Sequence, residues 1–474
     1  MSPTPQKDDT APPRYADVLR LAWPASVAAS VTPLLGVVDV WALSQSARPL
    51  DVAAVGLGSV IFSLAYWTFG FIRMSVAGLT AQASGAGDRR EERAGLLRGA
   101  LIGAVIGFLL VILQGPVGLG AFHALAIGSD ATAETFSNAH AYYAYRIWGA
   151  PFALATYALL GWLTAKGRTD FLMATSLAMT VLNGLLDYWF VTGLNMGAAG
   201  VAAGTLIAEI AGFVFAALFI LSMLKREGGL AAHWRTLDLF EVAAMRRTLS
   251  VNRDIFIRTL LLAFSFAWFV QRGGAFGDAT LAGNQILLQL LLFTGLALDG
   301  TAIAAETLVG RAIGDRDRTR GKARLQAAIR KTFIPALIAA GVFMAFYATF
   351  GSAIIDLLTA PGPVRSAAKD YLFWIVISPA IVVAGFQLDG IFIGATKARH
   401  MRDSMIMSVL IFIPLSLPLA TRFGNHGLWF AFSVYFIIRA ATLGWYLYRG
   451  AIADTFAHDA SDQSAAPVAS AIDE

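Results

Sequence analysis

The chain has no cysteine among its 474 residues, and its six histidines, His123, His140, His233, His400, His426 and His458, all fall in or near loops or tails. A disulfide framework, a thiolate zinc site and a cysteine nucleophile are therefore excluded, and no paired metal-ligand motif lies inside an apolar run. Charge is scarce as well, at 14% of residues, where soluble domains carry about 25%. With 57% hydrophobic residues, what the chain lacks is a water-facing surface, and it reads as an all-α integral membrane protein. The net charge of +5 does not point to nucleic acid, because the basic residues sit in short loops between apolar runs. Residues 1–13 show neither the apolar core nor the cleavage site of a signal peptide.

Twelve apolar stretches are long enough to span a bilayer, at 18–43, 52–83, 96–119, 138–165, 171–192, 197–224, 246–275, 279–310, 328–358, 368–396, 402–422 and 427–449. Of 36 Lys and Arg, 28 fall on one side of this topology, Lys225 to Arg258 and Arg311 to Lys331 contributing most, and five on the other. The positive-inside rule places both termini in the cytoplasm. Arg73, Arg146 and Arg439 remain inside spans.

The sequence also repeats. Ala-Gly-Leu-Thr-Ala-Gln-Ala-Ser-Gly-Ala-Gly-Asp, ending at Asp88, aligns with Ala-Ala-Glu-Thr-Leu-Val-Gly-Arg-Ala-Ile-Gly-Asp, ending at Asp315, and Gly197 to Gly200 aligns with Gly424 to Gly427, both at an offset of 227. An offset of six spans keeps both copies in the same orientation, giving two six-helix lobes related by an axis along the membrane normal. The expected organisation is a tail (1–14), a first lobe (15–224), a basic linker (225–245), a second lobe (246–450) and a disordered tail (451–474) rich in Ala, Ser and Asp.

The first span holds two prolines, Pro24 and Pro33, and a carboxylate, Asp39. Proline bends a helix, and an acid at membrane depth is costly unless paired, hydrated or protonated. Asp187 lies near the outer end of the fifth span with Asn183 one turn deeper on the same face, and Thr205 lies about two turns into the sixth. The outer half of the first lobe can therefore gather all four. Two carboxylates in one dry cavity do not both ionise cheaply, so the set is suited to a proton or, through its hard oxygens, to sodium. A purely structural pairing with Arg73 or Arg146 is the alternative. In the second lobe Phe266 and Pro414 stand where the first has Asp39 and Asp187, so the lobes are not expected to do identical work. Asp299 and Asp389 are candidate partners of Arg439, and Glu306 is expected as a solvated acid near a loop. Tyr66, Arg73, Tyr157 and Trp189 are candidates to line a substrate cavity.

Leu-Ala-Trp-Pro around Pro24, Pro-Leu-Leu-Gly-Val-Val-Asp ending at Asp39, the run Tyr66-Trp67-Thr68-Phe69-Gly70-Phe71-Ile72-Arg73-Met74, Leu-Thr-Ala-Gln-Ala, Gly-Ala-Gly-Asp, and Asp389-Gly390-Ile391-Phe392-Ile393-Gly394-Ala395-Thr396 together resemble the multidrug and toxic compound extrusion (MATE) transporters, in their DNA-damage-inducible protein F (DinF) branch. The resemblance covers residues 15 to 450. It implies two six-helix bundles arranged as a V in a bacterial inner membrane, a monomer without cofactor, and cation-driven export of amphipathic, often cationic compounds. The family's first-helix acid matches Asp39, its fifth-helix Asn and Asp match Asn183 and Asp187, and its sixth-helix Thr matches Thr205. Similar members are held to couple protonation of the first-helix acid to bending at the proline that matches Pro24. The tenth-helix acid of the other bacterial branch matches Asp389, but that branch's seventh-helix Glu has no counterpart here, which weighs against a sodium site in the second lobe.

Two rival readings are weaker. A flippase for lipid-linked sugars calls for a cationic cavity, whereas acids accompany the span arginines here. An intramembrane enzyme is disfavoured because all six histidines fall in or near loops or tails and no paired metal-ligand motif appears within a span.

Overall fold

The computed structural model describes residues 11–31, 34–44, 49–126, 131–227, 239–450 and 452, and all regular structure among them is helical. The first span is two helices, α1 (Tyr15–Val31) and α2 (Leu34–Ser44). Pro24 is buried inside α1 and has no N–H to offer the Arg20 carbonyl four residues back. The Thr169 hydroxyl donates to that carbonyl instead, at 3.5 Å. Pro33 lies outside the described residues.

The second span breaks at Gly70 into α3 (Pro49–Phe69) and α4 (Phe71–Gly85), and the third comprises α5 (Arg89–Ile112) and α6 (Gln114–Ala126). A 3-10 turn at Ile147–Gly149 joins α7 (Ala133–Arg146) to α8 (Ala150–Ala165) in the fourth. The fifth, α9 (Thr169–Tyr188), ends in a π-helical turn at Trp189–Gly193, and the sixth is α10 (Gly197–Arg226). The second lobe follows with α11 (Val242–Gly273), α12 (Asp278–Ile313), α13 (Arg318–Leu358), the short α14 (Pro363–Asp370), α15 (Leu372–Gly394) and α16 (Ala398–Tyr448).

Ten helical stretches among the described residues are long and apolar enough to cross a bilayer. The divided first span and the turn within α16 at Gly424, with φ of 59°, bring the number to the twelve expected. The repeat has a backbone signature. Gly197 and Gly424, 227 residues apart, have φ of 58° and 59°, a left-handed conformation that glycine adopts without steric cost. At the other end the alignment needs correction. Asp88 caps α5 by accepting the Glu91 N–H at 3.0 Å, and its counterpart is Asp317, which caps α13 by accepting the Arg320 N–H at 3.1 Å. Asp315 instead binds the guanidinium groups of Arg320 (2.8 Å) and Arg324 (2.8 Å). Those hydrogen bonds hold its carboxyl down at about 2.

The lobes differ inside. The second packs one large aromatic cluster that includes Phe269, Tyr347, Phe412, Trp429, Phe432 and Tyr435. Phe266, at the position that repeats Asp39, joins it edge-on to Phe432 at 5.2 Å. The first lobe has two smaller apolar clusters, one around Ile72, Leu154 and Trp162 and the other around Val55, Phe62 and Tyr142.

Across the lobes, α12 packs against both α1 and α4. Near the basic loops the approach is backbone to backbone. A Cβ on Gly85 would run into the Arg311 carbonyl, and one on Gly314 into the Gln82 carbonyl. Hydrogen bonds close the same joint. Gln82 Nε2 donates to Gly394 O (3.0 Å) and Thr396 Oγ1 (3.2 Å), its Oε1 accepts from Arg247 (2.7 Å), and Arg311 donates to Ala165 O (2.9 Å).

Candidate functional site

The four first-lobe candidates lie together. Helical spacing puts Asn183 and Asp187 on one face of α9, and Asn183 Nδ2 donates to Asp187 Oδ2 at 2.9 Å. The same nitrogen reaches Thr205 Oγ1 on α10 at 3.1 Å, while the Thr205 hydroxyl donates to Val201 O. Gly204 makes this possible, because a Cβ there would overlap Asp187 Oδ1. Asp39, only 3% exposed, comes from α2 to within side-chain hydrogen-bonding reach of both Asp187 and Asn183. One oxygen of each of Asp39, Asp187 and Asn183 is buried without a partner among the described residues.

Two carboxyl groups in contact share a proton or a cation, since two bare charges at this range in a medium of low dielectric repel strongly. Among the described residues neither acid has a salt-bridge partner. The span arginines are engaged elsewhere: Arg73 with Glu306 at 3.5 Å, Arg146 with Glu209 at 3.6 Å, and Arg439 with Asp389. Arg146 still lends its field to both acids.

Glu209 was not among the residues singled out by sequence. It follows Thr205 by one turn of α10, is 5% exposed, and accepts from Tyr66 Oη at 3.5 Å. Arg146 donates to the Tyr142 hydroxyl and lies over the Phe62 ring at 5.0 Å. A polar layer of Arg146, Tyr142, Glu209 and Tyr66 thus continues from the carboxyl pair, with Tyr157 and Arg73 within electrostatic reach of one another beside it. The spacing of Thr205 and Glu209 was the available signal. Trp189 stands apart from this layer, 56% exposed and stacked on Phe190.

The second-lobe candidates divide. Asp389 pairs with Arg439 and also with Arg258 of α11. Arg258, counted from the sequence among the basic residues of the cytoplasmic side, is buried inside the lobe. Among the described residues Asp299 makes no ion pair with Arg439, and the cations that act on it electrostatically are Arg73 and Arg258. Glu306 is not solvated as expected, being 1% exposed against Arg73. Two guanidinium groups share Asp389 Oδ2, so tethered cations stand where a free ion would bind that oxygen.

The MatE family model matches the chain twice, over residues 24–189 and 255–421, once in each lobe. DNA damage-inducible protein F of Escherichia coli K12 is 35% identical over 427 residues, covering 89% of this chain and 90% of that protein. The probable multidrug resistance protein NorM of Agrobacterium fabrum is 28% identical over 84% of this chain and 85% of its own length. The bent form of the Vibrio cholerae MATE transporter VcmN superimposes with a TM-score of 0.79 at 18% identity, covering 93% of this chain and 97% of that one. The chain therefore belongs to the MatE family of multi-pass membrane transporters, in its DinF-like branch.

Proposed function

We propose that the protein is a secondary antiporter of a bacterial inner membrane, with both termini cytoplasmic, that exports lipophilic and often cationic compounds in exchange for a cation. Its NorM relative is named for multidrug resistance, and the family assignment supports a carrier rather than an enzyme. The observation that carries the coupling is that Asp39 lies within side-chain hydrogen-bonding reach of Asp187 beside Asn183 and Thr205, with no ion pair to either acid among the described residues. A proton entering from outside neutralises the pair, and the polar layer reached through Arg146 and Glu209 responds because its charges are balanced against those acids. Bending of α1 at Pro24 is the movement this protonation drives. Each charge moved through 100 mV supplies about 2.3 kcal/mol and each pH unit about 1.4 kcal/mol, enough for concentrative export.

Sodium is the second reading, favoured by the three unpartnered oxygens of Asp39, Asp187 and Asn183, which suit a hard cation. Ethidium efflux from proteoliposomes, with pH and sodium gradients imposed separately on wild type and Asp39→Asn, separates the two. A pH gradient alone drives the wild type, and Asp39→Asn abolishes that efflux while leaving the protein folded. Efflux driven only by sodium overturns proton coupling. Efflux retained in Asp39→Asn overturns the role of the carboxyl pair.

A further inference from the structure

A cavity lies away from the carboxyl pair, at the basic end of the second lobe. It has a volume of about 570 Å3 and opens between α11 and the turn that leads into α16. Four cations line it: Arg253, Lys397, Arg399 and Arg402. Two acids accompany them, so the charges do not cancel. Buried Asp254 takes Arg402 at 2.8 Å and Arg253 at 3.1 Å, and Asp403 takes Arg402 at 2.7 Å and Arg399 at only 3.8 Å. Arg402 is therefore held by both acids, while Arg253 and Arg399 keep side chains 62% and 77% exposed. Lys397 has no ion-pair partner among the described residues. An excess of two positive charges is left, with the hydroxyls of Ser250 and Thr396 beside it. His400 also borders the cavity, but its ring is packed on Tyr446 and Phe392.

Converging guanidinium and ammonium groups recognise phosphate oxygens. At the membrane face where basic loops collect, basic pockets between spans take anionic lipid headgroups. The place has a mechanical meaning too. Thr396 both lines the cavity and receives Gln82 and Arg247 of the joint between the lobes. A ligand that fixes the turn at Thr396 and Lys397 favours the closed joint.

We propose that this cavity binds the phosphate headgroup of an anionic phospholipid, and that its occupation holds the lobes together at this end. The test uses the full chain in neutral detergent micelles, with Tm followed during titration by phosphatidylglycerol, phosphatidylcholine or inorganic phosphate. Native mass spectrometry counts the bound lipid. Phosphatidylglycerol raises Tm saturably and phosphatidylcholine does not. Lys397→Ala with Arg399→Ala weakens the apparent affinity about 30-fold, each basic residue contributing about fivefold. Arg89→Ala with Arg90→Ala, which removes the same charge elsewhere on this face, changes it less than twofold. The single change Arg399→Ala, at a largely exposed side chain, carries the same test at about fivefold should the double variant not fold. Equal losses in the two double variants mean general surface attraction and overturn the site. An equal response to inorganic phosphate identifies a free anion as the ligand and overturns the lipid. No response to phosphatidylglycerol overturns both.

Discussion

Replacing Gln82 by alanine should loosen the joint between the lobes without touching either acid of the carboxyl pair. The side chain makes two neutral hydrogen bonds, to Gly394 O and Thr396 Oγ1, and receives one from Arg247. Each neutral bond is worth about 1 kcal/mol. The charged one contributes no more than that here, because Arg247 is exposed and water competes for it. Truncation therefore removes about 2 to 3 kcal/mol from the closed arrangement, and the ratio of closed to open molecules falls about 30- to 150-fold. The absence of native cysteine makes the measurement direct, since Arg89→Cys and Arg316→Cys can carry the only two spin labels, one beside α4 and one beside α12. Pulsed electron paramagnetic resonance should give a short distance in the otherwise unchanged protein and a second, longer one when Gln82→Ala is added. If the distance distribution stays the same, the clasp does not hold the joint, and the glycine contacts beneath it supply the closing energy.

Thr205→Ala removes one of the two partners of Asn183 Nδ2 and should cost about 1 kcal/mol, read as about fivefold slower pH-driven efflux with unchanged expression. Arg258→Ala leaves Asp389 with Arg439 alone and opens a space in the second lobe. Asp389 keeps Arg439 as a counter-charge, so the loss is that of one hydrogen bond to a charged group, about 1.5 to 3 kcal/mol; Tm in detergent should fall, and an unchanged Tm would remove Arg258 from the ion-pair network. Asp315 stands well below its ordinary value of 3.8, at about 2, because Arg320 and Arg324 favour its charged form. A lowered carboxyl stabilises the fold above its unfolded value and loses that contribution as pH falls through the folded one. Asp315→Asn should therefore lower Tm at pH 6 and leave it close to wild type at pH 2, and a Tm difference independent of pH would show that the Arg320 and Arg324 contacts carry no linkage.

Periodicity and span ends carried much of this architecture into the sequence. Twelve spans follow from apolar length alone, and the placing of Asp39, Asn183, Asp187 and Thr205 at one depth follows from counting along spans of known direction. Pairing between spans is not encoded that way. Arg258 reads as one of the cytoplasmic basic residues because Arg246, Arg247 and Arg253 precede it, yet α11 begins at Val242 and carries it about 24 Å along the axis. Glu306 looks close to a loop, but α12 continues to Ile313 and keeps the acid inside, opposite Arg73. Glu209 had no local sign of its role beyond its spacing from Thr205, since its partners Arg146 and Tyr66 come from other spans. The alignment of Asp88 with Asp315 failed because composition matched at one offset while the helix cap sits two residues later.

The contact of Gly85 and Gly314 with opposing carbonyls has a kinetic side. Surfaces that meet through interleaved side chains must unlock rotamers to part and find them again to close. A face of bare backbone has no such torsions to reset, so it behaves like a dry bearing, coming apart and seating again in one register at every turnover. At Gly85 and Gly314 it leaves no room even for a Cβ, and so none for a wedge. A compound that jams this carrier will do so by gripping the rims of the joint rather than its floor.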